Sequence, residues 1–170
     1  ESGVPYAADL NGNRLPGCLS ISHRENAAFC AYSPDPEARF GVDLEWIEPK
    51  DLVFFQDYLT SAEVSMVSCL PYDVRDLAIL LAWSGKEAGF KALETGLRLD
   101  TRKIEVGSIQ WLGEKTFVED EWYEFSLTSR MDSTVFQGKW MVHHGFVITM
   151  AIIGVAPMEI LPVSISGQSD

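Results

Sequence analysis

Cysteine, histidine and positive charge are all scarce in this chain. Three cysteines (Cys18, Cys30, Cys69) and three histidines (His23, His143, His144) among 170 residues are too few and too scattered for a disulfide framework or a Cys/His zinc site. The thiols are expected to be free and buried. Thirteen Lys and Arg against twenty-five Asp and Glu leave a net charge of −12. That average field repels a nucleic-acid duplex, and no basic run offsets it. A local cluster of cations can still outvote the mean for a small anion. The most apolar stretch, VITMAIIGVA at 147–156, is too short to cross a bilayer. No signal peptide opens the chain, so a cytoplasmic protein without membrane contact is expected. Internal repeats and low-complexity tracts are missing, as are the Walker A loop, G-x-G-x-x-G, H-E-x-x-H and G-x-S-x-G. The chain also starts without Met, which reads as a fragment or an excised domain.

What is there is ordinary globular material, 46% hydrophobic and 22% charged, in the amount that makes one domain. Strands are expected over 18–22, 27–33 and 40–47. DLVFFQDYL at 51–59 reads as a short amphipathic helix. Thr60 and Glu63 form a T-x-x-E capping pattern before a second helix, SAEVSMVSCL. Pro71 separates it from the longest helix, in which Leu77, Leu80, Leu81, Ser84, Ala88 and Ala92 recur at helical spacing and Gly96 marks the stop. Four strands follow, in IEVGSIQWL, EWYEFSLTSR, VFQGKWMVHH and FVITMAIIGV. Strands, then helices, then strands indicate an α+β fold of antiparallel sheets packed on a long helix.

Charged residues sit inside two of these apolar elements. In FGVDLE, Asp43 and Glu45 share one strand face. Paired carboxylates repel and are stable together when solvated or bridged by a cation. In WSGKEAGFK, Glu87 and Lys91 share a helix face, as an exposed ion pair or as residues at the mouth of a cleft walled by Trp83 and Phe90. Gly85 and Gly89 leave a bare stripe, for close helix–sheet packing or for a ligand. His23 follows a strand directly, beside Ser22 and Arg24, and Ser-His-Arg offers a hydroxyl, an imidazole and a guanidinium in one turn, a cradle for phosphate. His143 and His144 read as turn residues.

In order and spacing, LSISH, FGVDLE and WSGKEAGFKAL resemble the 4′-phosphopantetheinyl transferases, most closely the surfactin-type (Sfp-like) branch. The resemblance implies Mg²⁺-dependent transfer of phosphopantetheine from coenzyme A to a serine of an acyl or peptidyl carrier protein. It implies Asp43, Glu45 and Glu87 as metal carboxylates, Glu87 and Lys91 as catalytic residues, and Ser22, His23, Arg24, Lys86 and Lys91 as contacts of coenzyme A. Residues 1–40 then read as the remnant of an N-terminal half, 41–160 as the metal-binding half, and 161–170 as a tail. Against the family's pattern the N-terminal half is short, Val4 replaces a basic residue and Arg24 replaces a serine. The missing surface suggests a homo-oligomer or a domain of a larger synthase. Phosphate binding would need Arg14, Arg24, Lys86, Lys91, Arg98, Arg102 or Lys103 to converge. A catalytically silent relative that binds carrier protein or coenzyme A, and an unrelated acidic interaction domain, are the competing readings.

Overall fold

The computed structural model describes residues 4–48, 56–95, 99–110 and 117–154, leaving aside the side chain of Asp73. Strands β1 (Cys18–Arg24) and β2 (Ala27–Ser33) form a hairpin of their own. A five-stranded antiparallel sheet runs in the order β3-β7-β6-β5-β4. Its strands are β3 (Arg39–Trp46), β4 (Ile104–Ile109), β5 (Tyr123–Ser129), β6 (Val135–His143) and β7 (Phe146–Ile153). Among the described residues, two α-helices, α1 (Ser61–Ser68) and α2 (Tyr72–Ala92), lie between β3 and β4 in sequence. The fold is α+β.

Local chemistry sets the element ends. Thr60 Oγ1 accepts from the Glu63 amide while Glu63 Oε2 accepts from the Thr60 amide, closing a capping box at the start of α1. Arg75 donates to Ser68 O at the end of α1 and to Leu70 O just beyond it. His144 and Gly145 both take positive φ, the backbone a two-residue turn needs to join β6 and β7 with the right twist. Helix α2 stops earlier than the glycine pattern predicts. Glu94 already adopts a left-handed φ of 55°, and Gly96 lies outside the described residues. So do residues 51–55 of the amphipathic helix expected at 51–59; within 56–59 only Gln56 is helical.

One face of the sheet receives α2, where Leu77, Leu80, Leu81, Ala88 and Phe90 join Phe125, Leu127, Trp140, Val142 and Ala151 in the main core. The approach is close. A Cβ built on Gly41 of β3 would stand 2.0 Å from Ala88 O and 2.6 Å from Ala92 N. Gly85 and Gly89 face the Phe125 ring and the Ile104 side chain, so the bare stripe serves packing. Gly41→Ala should cost at least about 3 kcal/mol, because rigid backbone and not a flexible side chain would have to move. A lowered urea midpoint checks this.

On the opposite face, the hairpin covers β3 and β7. Phe40, Val42, Met150 and Ile152 pack against Cys18, Phe29 and Ala31 of the hairpin, and Leu44, Phe146 and Ile148 against Ala27 and Phe29. Strand β7 is consequently buried on both sides. The thiols are free as expected, but Cys30 and Cys69 are exposed and only Cys18 is half-buried.

Candidate active site

Three elements meet where α2 crosses the β3–β7 edge, and Asp43 is at their junction. Its position on β3 turns the side chain toward α2, leaving it 5% exposed. Ser22 Oγ of β1 donates to Asp43 Oδ1 at 2.8 Å, and Ser84 Oγ of α2 donates to Oδ2 at 2.8 Å. Lys91 Nζ reaches Oδ1 at 2.9 Å and Val42 O at 2.9 Å. Thr149, directly across from Asp43 in the β3–β7 register, lies 2.8 Å from Ser84 Oγ through its hydroxyl. Sequence reasoning missed Ser84 as a polar contact and Thr149 altogether. Ser84 reads as one small residue of an apolar stripe, and Thr149 stands sixty-five positions away.

Glu45, two residues along the same face, accepts from Trp83 Nε1 at 3.2 Å and lies 3.6 Å from Arg24 Nε. Arg24 also reaches Glu48 at 3.6 Å. Glu87, one α2 turn beyond Trp83, is 5% exposed, and its Oε1 has no hydrogen-bond partner. Burial pushes its pKa up to about 7, Asp43 and then Glu45 add to the rise, and Lys91 opposes it. A buried carboxylate oxygen without a donor is poorly stabilised when charged.

The consequence for stability has a definite sign. Glu87 holds its proton more tightly folded than unfolded, so folding takes up a proton between pH 4.5 and about 7. Its penalty is absent below pH 4.5, grows through that window and is complete above it. Glu87→Gln should therefore match the wild type near pH 4.5. By pH 8 it should be more stable by on the order of 2 kcal/mol, a full shift being worth about 3 before solvent screening. Denaturant titrations in chelator at the two pH values check the trend.

Glu87 also lines a cleft of about 250 Å³ with Asp57, Tyr58, Trp83, Leu99, Asp100 and Thr101. Trp83 belongs to that wall, as expected. Phe90 does not: it is 1% exposed and points into the main core.

Two expected phosphate contacts, Lys86 and His23, are placed differently from the expectation. Lys86 is fully buried, its ammonium 2.6 Å from Glu63 Oε2 and 2.9 Å from Tyr58 O. Adjacent helix residues point about 100° apart, so Lys86 is turned away from the Asp43 carboxylate that Lys91 meets. It has no surface to offer a phosphate. His23 lies inside β1 and not in a turn, and strand alternation puts its exposed ring on the face opposite Ser22. The Ser-His-Arg cradle in a single turn is therefore not formed. Only Ser22 and Arg24 face the carboxylates.

The other cations converge in part. Lys91 and Arg24 sit at the carboxylates, and Arg102 is held by Asp100, which lines the cleft. Arg14 lies over Tyr6, Lys103 is exposed on the short 3₁₀ turn Thr101–Lys103, and Arg98 is outside the described residues.

Among the described residues, no three acidic, imidazole or thiol side chains stand gathered as a ready metal cluster. The donor chemistry nevertheless fits a hard divalent cation. Asp43, Glu45 and Glu87 offer only oxygen, their mutual repulsion is part of what raises Glu87's pKa, and Glu87 Oε1 lacks a partner. Within the described residues no helix is long and apolar enough to cross a membrane. No curated protein gives a significant match to the chain. The family model of the 4′-phosphopantetheinyl transferase superfamily matches residues 39–151, from the start of β3 into β7 and through all of α2. With well over half its length inside that match, the chain belongs to the 4′-phosphopantetheinyl transferase superfamily.

Proposed function

We propose that this protein moves the 4′-phosphopantetheine group of coenzyme A onto a serine hydroxyl of an acyl or peptidyl carrier protein, with Mg²⁺. The serine oxygen forms a bond to the phosphorus bearing pantetheine. The pyrophosphate P–O bond breaks, and adenosine 3′,5′-bisphosphate leaves. One observation carries the reading: a buried carboxylate with an unpartnered oxygen and a pKa near 7, Glu87, stands between the Asp43–Lys91 pair and an open cleft.

Each side chain then has a task. Glu87, poised near neutrality, takes the serine proton. Asp43, Glu45 and Glu87 would hold the metal, with Lys91 leaving an oxygen of Asp43 accessible. A Mg²⁺ held there would supply positive charge against the pyrophosphate. Lys91 spends two of its three N–H donors on Asp43 and Val42 O, which leaves a third for a phosphoryl oxygen. Arg24 offers a second cation at the Glu45 end, and Ser22 holds Asp43 in place. His23, exposed at the edge of β1, is available to an outer phosphate of coenzyme A.

The second reading is a silent relative that binds coenzyme A or a carrier protein without transfer. Lys91 seated directly on Asp43 favours it, since that ammonium already neutralises the carboxylate. Incubation with coenzyme A, Mg²⁺ and a panel of apo carrier proteins, read by intact mass, separates the two. Gain of one phosphopantetheine on a carrier supports transfer. Binding of coenzyme A with no mass gain on any carrier supports the silent relative.

A further inference from the structure

Strand β7 reads FVITMAII and carries a single polar side chain, Thr149, which is fully buried. A hydroxyl in such a place needs a partner. Its partner is Ser84 Oγ at 2.8 Å, itself fully buried and 2.8 Å from Asp43 Oδ2. The direction of this chain of bonds follows from chemistry. Ser84 donates its hydrogen bond to Asp43. The Ser84 oxygen is then an acceptor, and Thr149 must donate to it. Two hydroxyl dipoles therefore point in series at one oxygen of Asp43, while Ser22 and Lys91 hold the other. Hydrogen bonds in such a chain polarise one another. Of the four lone-pair positions on the carboxylate, three have donors, and one stays open for a cation.

We propose that Ser84 and Thr149 are positioning residues. They fix the orientation of Asp43, and thereby set how tightly the carboxylate site holds a divalent cation. The inference rests on the transferase reading, because it assigns the cation to Asp43. Groups that orient a metal ligand in this way commonly carry 10–100-fold in affinity.

The test uses the full chain without coenzyme A, and Mn²⁺ as a spin probe for the site, with free ion counted by electron paramagnetic resonance. Ser84→Ala should weaken Mn²⁺ binding by about 10–100-fold. Thr149→Val, which keeps shape and removes the hydroxyl, should weaken it by several-fold. Thr149→Ser, which keeps the hydroxyl, should bind within about twofold of the wild type. In transfer assays the Mg²⁺ requirement should rise in the same order, with activity recovering at high Mg²⁺. Thermal unfolding reports whether each variant folds, and if Ser84→Ala does not, the Thr149 pair carries the test. Wild-type binding that both Ser84→Ala and Thr149→Val retain overturns this proposal alone. So does a Thr149→Ser variant as weak as Thr149→Val, which would make the effect one of packing. A wild-type chain that binds no Mn²⁺ overturns it together with the metal-dependent reading.

Discussion

Glu87→Gln is expected to lower phosphopantetheine transfer by about 10³-fold while leaving the fold intact, since a positioned general base contributes roughly 10²–10⁴. The amide matches the carboxylate in shape but cannot take a proton. Because the residue already carries a burial penalty, its replacement relieves strain instead of creating it. Lost activity combined with gained stability above pH 7 is the signature of a group kept for chemistry. Asp43→Ala should abolish transfer as well, through the opposite thermodynamics. It strips three donors of their acceptor, so stability should fall. Transfer retained in both variants, measured by carrier mass, would remove the carboxylate assignment.

Lys86→Met should destabilise the protein by about 3–5 kcal/mol, the range for leaving one member of a buried ion pair alone. Lys86 and Glu63 are both fully buried at 2.6 Å. Desolvation pulls the lysine's pKa down and Glu63 holds it up. Glu63 is further committed, accepting from the Val106 amide at 2.7 Å and closing the α1 cap through Thr60. Adding Glu63→Gln to Lys86→Met should recover on the order of 1–2 kcal/mol, because the stranded charge is gone. Denaturant unfolding of the wild type and of single and double variants gives the coupling. The same Lys86→Met protein decides what the lysine does. At a temperature where it stays folded its KM for coenzyme A should equal the wild type's, whereas a phosphate contact would raise KM.

Much of the site was legible because its signals are local. Alternation in FGVDLE aims Asp43 and Glu45 at α2, where Lys91 and Trp83 meet them, and the Thr60–Glu63 box was readable within four residues. The misreadings share a cause. Glu63 looks like a cap and Lys86 like half of a K-E motif, and nothing in either segment says that the twenty-two intervening residues fold back to pair them. Phe90 could be aimed at the core or the cleft with equal local plausibility. His23 was misplaced because β1 runs on through Arg24, and one more residue of strand inverts a side chain's face.

The β1–β2 hairpin lies wholly ahead of the family match at 39–151, yet it completes that segment. An excision made at the match boundaries would lose Ser22 from Asp43 and bare Phe40, Val42 and Met150 along β3 and β7. Such a sticky sheet face invites self-association. The smallest autonomous folding unit therefore has to reach back at least to Cys18, whatever boundary the shared motifs suggest.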